Sequence, residues 1–233
     1  MSYWDEGIVL YNTKYKERSE LITIFTKDHG LYRGLVYTTS KKKIPDIGSV
    51  VKIFKKSNKS TGLCVIELES SYSPYLYIFD SSNKVFTMQA QLNLISAGIN
   101  EGDFNINFYD LSLHFIYNIK LENWYYIYIN WELNLIKLLG FGLDLSVCAL
   151  TGATDNLYYA SPITGKVCTK EAGAKYHDKL LVIPKFLRDH NYDLSTNDYI
   201  EGLYFTEVYL KKSFSSVNKI MPNIRLNLIE LIR

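Results

Sequence analysis

Gly7-Ile8-Val9-Leu10-Tyr11, Leu21-Ile22-Thr23-Ile24-Phe25-Thr26 and Lys27-Asp28-His29-Gly30-Leu31 are the runs on which the fold turns. The first is β-rich. The second alternates and is dense in β-branched residues, the pattern of a pleated, half-buried strand. Lys27 to Gly30 makes a compact turn in which Gly30 can supply a positive φ, so the chain reads as a hairpin leading into a third strand, Leu31 to Tyr37. The polar stretch Asn12 to Glu20 reads as a break between the first two strands. After a loop from Thr38 to Gly48, which carries Lys41-Lys42-Lys43 and Pro45, Val50 to Phe54 and Leu63 to Leu68 supply two more strands around a Ser/Asn/Lys/Gly turn. Five short strands in about 70 residues, with no helix of convincing length, predict a small closed barrel, because closure hides strand edges. An OB-type barrel fits best. An SH3-like barrel has nearly the same strand count, and periodicity alone does not separate the two.

After Ser73-Pro74 the texture changes. Val85, Met88, Leu92 and Ile95 recur at a spacing of three to four, as do Phe108, Leu111, Phe115 and Ile119, and then Trp124, Ile127, Trp131, Leu135 and Leu138, each marking one helical face. Tyr199 to Lys212 repeats the pattern less regularly, and Pro222 opens a last helix, Ile224 to Ile232, at the first-turn position that proline tolerates. The division predicted is a barrel domain over residues 1–76 and a helical domain over 77–233, an α+β multidomain chain. Between the helices, glycines and short β runs from Cys148 to Cys168 predict a small hairpin-bearing insert, about residues 146–173.

The chain has 233 residues, 47% hydrophobic and 21% charged, which suits a folded protein and excludes extended disorder. No apolar run reaches the roughly 18 residues of a membrane span, and the acidic start Met1 to Glu6 does not suit a secretory signal, so a cytoplasmic location is expected. Three cysteines, Cys64, Cys148 and Cys168, do not make a disulfide framework. The net charge is only +2, but it is unevenly spread: residues 1–60 carry 12 Lys+Arg against 6 Asp+Glu, and the remainder 14 against 18. A basic module is joined to a mildly acidic body.

Lys41, Lys42 and Lys43 follow a strand that contains Arg33 and precede one that contains Lys52, Lys55 and Lys56. A barrel would gather these seven cations near one groove, where they could track a phosphate backbone, with Tyr32 and Tyr37 available to stack on unpaired bases. The plainer alternative is a solvated lysine loop and core tyrosines. In strict alternation Tyr32 and Arg33 lie on opposite faces, so both cannot point outward. Catalytic signatures are lacking: the histidines at 29, 114, 177 and 190 are scattered, and no HExxH, GxSxG or nucleotide-phosphate loop occurs. No small-molecule substrate is expected. The aromatic stripe Trp124 to Trp131 reads as a central core helix, with a partner surface as the alternative.

Taken in order, these blocks resemble the RecO family of bacterial recombination mediators. Gly7 to Leu10, then Tyr15, Glu17, Ser19 and Leu21, then Phe25 to Leu31 look like that family's opening strand, turn, strand and hairpin; the Lys41 to Lys43 loop sits where the family carries its basic segment. Leu138 to Leu145, Cys148 to Gly152, Tyr158 to Cys168, Glu171 to Gly173 and Leu180 to Pro184 are similar to the segment around the family's zinc-finger-like insert. Where the family pattern has four cysteines, this chain keeps Cys148 and Cys168 and has Thr151 and Glu171 in the other two places, so zinc and any other cofactor are not expected. The resemblance implies an N-terminal OB-fold, a helical C-terminal domain, binding of single- and double-stranded DNA, annealing of complementary strands, and cooperation with RecR and single-strand-binding protein to load RecA. It implies no enzymatic step. Two other readings stay open: an adaptor whose helical domain recruits partners and whose basic loop is incidental, and a small zinc-dependent hydrolase or deaminase built around the Cys148 insert.

Overall fold

The computed structural model describes residues 3–39, 43–56, 64–189 and 195–232. Five strands come first: β1 (Tyr3–Lys16), β2 (Ser19–Thr26), β3 (Gly30–Tyr37), β4 (Val50–Lys56) and β5 (Val65–Tyr72). They close in the order β1-β2-β3-β5-β4, with β4 returning antiparallel to β1. β3 meets β5 in parallel, Leu35 opposite Val65, and that closing contact makes the barrel OB-type and separates it from the SH3-like alternative.

Alternation fills the barrel. Val9, Ile22, Ile24, Val36, Val51, Ile53 and Ile66 point inward and form one buried cluster. Gly34 makes room for it: a Cβ there would come within 2.4 Å of the Ile66 Cδ1. The opposite face of β2 is buried as well, because Phe25 packs against Phe108 and Tyr109 with ring centroids 6.1 and 5.6 Å apart. The predicted break at residues 12–20 is instead a continuation of pairing: β1 runs on as an exposed arm along β2 to the Lys16–Ser19 pair, and β2 is backed there by β3 through Ser19 opposite Tyr37.

One compact unit comprises Met1–Leu121 with Pro222–Arg233. Besides the barrel it holds α1 (Tyr75–Ile78), α2 (Ser82–Gly98) and α3 (Ile106–Asn118), so the expected boundary after residue 76 falls inside it. Asn105 caps α3 by accepting from the Phe108 N–H at 3.0 Å. The second unit, Glu122–Met221, begins with α4 (Trp124–Leu138), ended by Gly140 at φ +85°. A four-stranded sheet follows, made of β6 (Asp144–Cys148), β7 (Leu157–Ala160), β8 (Lys166–Thr169) and β9 (Leu181–Val182) in the order β6-β8-β7-β9, with the short helix α5 (Lys170–Gly173) before β9. Then come α6 (Lys185–Arg188) and α7 (Thr196–Ser216), the latter opened by a Ser195–Asp198 capping box. α7 packs on α4 through Gly202, where a Cβ would meet Ile129 and Phe186 at 2.9 Å. The last predicted helix is two short ones, α8 (Asn223–Leu226) and α9 (Leu228–Leu231), which return to the first unit and pack on α2.

Candidate nucleic-acid interface

The barrel has two chemically distinct ends, fixed by register. Tyr3 pairs with Phe54 and Thr26 with Gly30, so the start of β1, the end of β4 and the β2–β3 turn share one end. Ile8 pairs with Val50 and Ser19 with Tyr37, so the β1–β2 arm and the loop entering β4 share the other. At ~3.3 Å per residue, the length of β4 separates the ends by about 20 Å.

At the first end, Asp5 is nearly inaccessible, 1% exposed, yet ionisable. Its carboxylate accepts from the Glu6 N–H at 2.7 Å and the Asp28 N–H at 3.2 Å, and it meets His29 Nδ1 at 2.7 Å, so both oxygens have partners in place of water. This clasp fixes the turn and sets the His29 ring against Trp4, centroids 4.2 Å apart and stacked. Tyr32, in phase with Gly34 and Val36, points inward and tilts against Trp4 at 4.6 Å. Burial, and then the neighbouring Cys64, push the Tyr32 phenol well above its ordinary value. The Lys55 ammonium lies 4.1 Å from the Trp4 ring centroid and 5.3 Å from that of Tyr32.

Register separates the seven sequence-predicted cations. Lys55 joins the aromatic group just described. Arg33 is on the outer face of β3, so of the pair Tyr32 and Arg33 only the arginine is outward, and it is held to Glu101 at 2.8 Å. Lys56 is ion-paired with Glu67. Lys52 is exposed on the outer face of β4, opposite Glu6 and Glu69 on its neighbours. Lys43 is exposed in the loop at the far end, and Lys41 and Lys42 lie outside the described residues. Among the described residues, Lys43, Lys52 and Lys55 have no carboxylate at ion-pair distance.

Two sets of residues escaped the sequence reading. Trp4 is one; its only signal was an aromatic at the head of a strand. The other is the β1–β2 arm, which carries Lys14, Lys16 and Arg18 with the exposed Tyr11 and Tyr15, close to the exposed Tyr37, and Lys16 lies 5.6 Å over the Tyr15 ring. Its signal was a basic-aromatic alternation hidden in a stretch that looked like a loop.

In the insert, Cys148 and Cys168 are both buried. Burial would raise the Cys148 thiol, but the Thr151 hydroxyl and the N–H groups of Thr169, Leu150 and Thr151 point at its sulfur, and the balance brings it down to about 7. Cys168 is pushed up, by burial and by Cys148 beside it. With Thr151 turned to Cys148 and Glu171 exposed, the donor set does not fit the zinc of the family pattern. Among the described residues no group of three or more His, Cys, Asp and Glu converges as a metal site, and none of the helices is long and apolar enough to cross a membrane.

Barrel topology and the helical second part define an OB-type barrel protein with a helical extension. Family models described as Recombination protein O N terminal and Recombination protein O C terminal match residues 1–62 and 82–215. The chain belongs to the RecO family of DNA repair and recombination proteins. Proteins named DNA repair protein RecO are similar over essentially the whole length: that of Rickettsia bellii (strain OSU 85-389) is 31% identical over 236 residues, 100% of this chain and 97% of its own. That of Wolbachia pipientis wMel is 33% identical over 234 residues, 97% and 98% respectively.

Proposed function

We propose that this chain is a non-enzymatic, DNA-binding mediator of recombinational repair, which binds single- and double-stranded DNA, anneals complementary strands and, with RecR, helps load RecA onto DNA coated by single-strand-binding protein. The observation that carries the reading is an OB-type barrel bearing cations that have no carboxylate at ion-pair distance among the described residues at both ends, Lys55 at one and Lys43 with the Lys14, Lys16 and Arg18 arm at the other. A strand laid along the barrel meets both, since an OB barrel covers roughly 4 to 16 nucleotides. Annealing then needs no covalent step: two polyanions held on one basic surface repel each other less. The nucleic-acid-binding set is Arg33, Lys41, Lys42, Lys43, Lys52, Lys55 and Lys56; Arg33 and Lys56 contribute by exchanging Glu101 and Glu67 for phosphate. The insert works without zinc, and the protein acts in the cytoplasm beside the nucleoid.

The test is a salt titration of single-strand binding. Each phosphate contact contributes a log-log slope of about −0.7, so Lys41, Lys42 and Lys43 changed together to Ala should weaken binding to all sequences alike and make the slope shallower by about 2. Unchanged slope and affinity in that variant refute the lysine loop as a contact. Absence of binding in dilute buffer, with the partner proteins supplied, refutes the reading as a whole. The adaptor reading has one observation in its favour: Leu76, Tyr77 and Phe79 are at least half exposed on one short segment. Retained partner binding by a chain that ignores DNA would select it.

A further inference from the structure

We propose that Trp4 is the floor of a nucleobase-stacking subsite on which Lys55 stands in for the base until a strand arrives; the inference rests on the DNA-binding reading and adds to it where an unpaired base is held. Trp4 packs against the barrel core but is not buried, which a purely structural plug would be. The indole is held in place: His29 stacks on it at 4.2 Å, and His29 is itself tied to the buried Asp5 carboxylate at 2.7 Å. Tyr32, inward-pointing and flanked by Cys64, forms the adjoining wall at 4.6 Å. This is a preorganised aromatic corner on regular strands.

What occupies it is a cation with no carboxylate at ion-pair distance among the described residues. Lys55 is exposed, and its Nζ sits 4.1 Å from the Trp4 centroid, the place a stacked base takes. When an ammonium leaves a ring for a phosphate it strands no carboxylate, whereas Arg33 and Lys56 strand Glu101 and Glu67 when they exchange. A DNA strand supplies both replacements at once: its phosphate draws the Lys55 Nζ off the ring, and the adjacent base covers the indole. The exchange is a stack, and every base has a flat π face, so the subsite is indifferent to sequence while requiring that the base be unpaired.

The experiment uses the full chain and two probes of equal phosphate number, an oligothymidylate of about 12 nucleotides and an abasic strand of the same length, titrated by anisotropy at fixed salt. The wild type is expected to bind oligothymidylate more tightly. Trp4→Leu should lose about tenfold on oligothymidylate and leave the abasic strand unchanged, so that the two affinities converge. Lys55→Met should weaken both probes equally, make the salt slope shallower by about 0.7 and retain the preference for bases. Because Trp4→Leu touches the core, Trp4→Phe serves as the conservative check: it keeps a smaller ring, and most of the preference should survive. Quenching of the emission that distinguishes wild type from Trp4→Phe should follow oligothymidylate and not the abasic strand. An unchanged ratio of the two affinities in Trp4→Leu, or equal binding of both probes by the wild type, overturns the subsite and leaves DNA binding standing. Binding of neither probe in dilute buffer overturns both.

Discussion

Asp5 shows what one residue contributes to the aromatic end of the barrel. It is 1% exposed, and its two oxygens take the Glu6 N–H, the Asp28 N–H and His29 Nδ1. Hydrogen bonds to a charged group are worth ~1.5–3 kcal/mol each when intact, and an orphaned buried partner costs about as much. Asp5→Asn keeps the shape but removes the charge and leaves an amide facing two N–H donors. It should lower unfolding stability by about 1–3 kcal/mol in urea titration, loosen the turn at Lys27 to His29, and weaken the stack of His29 on Trp4. A variant with wild-type stability would mean the clasp is replaceable by water. The same scale decides the contest over Trp4. A cation over a partly exposed ring is worth ~0.5–1 kcal/mol, and a base on an aromatic ~1–3 kcal/mol, so the exchange runs toward the base even before Lys55 gains its phosphate. Of this corner, Tyr32 and Lys55 could be picked from the sequence and Trp4 could not. Alternation from Leu31 required that Tyr32 and Arg33 face opposite ways, but which one faced out depended on Gly34 and Ile66, which meet across two strands distant in sequence.

At the scale of elements, the insert sheet makes its own pH prediction. The Cys148 thiol sits near 7 in the folded sheet against about 9 ordinarily, an acid group depressed by hydrogen bonds that fold with it. A depressed acid contributes stability that is complete above the unfolded value and disappears as pH falls through the folded one. Stability of the insert should therefore rise between pH 7 and pH 9 and be flat below 7. Hydrogen exchange over residues 144–169, compared with Cys148→Ser, reads this directly: the rise should be missing from the variant, and a rise of equal size in both would rule out the thiol as its source. How far such elements could be read in advance follows the same physics. Helices α2, α3, α4 and α7 each show a buried stripe at a spacing of three to four, so they were legible. The β1 half of the arm was not, because every residue from Tyr11 to Lys16 is exposed and alternation there has no apolar half to mark it. The insert's fourth strand, β9, is two residues long and pairs with β7 across about 20 residues of chain, a contact no local pattern announces. The lysines were legible as a list but not as a surface, since order along the chain cannot say that Lys43 and Lys55 sit at opposite barrel ends, or that Glu101 and Glu67 meet Arg33 and Lys56.

For the molecule as a whole, the chain's return to its first unit yields the last prediction. Residues 222–232 lie beyond both family matches, yet they belong to the unit that holds the barrel. Leu228 is 0% and Ile229 5% exposed where α8 and α9 pack on α2, and α2 in turn touches β1. Burying such a side chain is worth ~1.5–3 kcal/mol, so a chain ending at residue 221 should lose about 3–6 kcal/mol from this unit, an upper estimate because an unfolded chain already buries some apolar surface. That is a large part of a domain's typical net stability of ~5–15 kcal/mol. The loss should appear in urea as an earlier transition of the barrel unit, followed by fluorescence of Trp4, while Trp124 and Trp131, both in the second unit, report a midpoint that does not move. Restoring Leu228 and Ile229 alone, on a chain otherwise polar beyond 221, should recover most of the stability if apolar burial is the cause. If the shortened chain unfolds at the wild-type midpoint, the barrel is self-sufficient, and the helices behind it serve some purpose other than holding it closed.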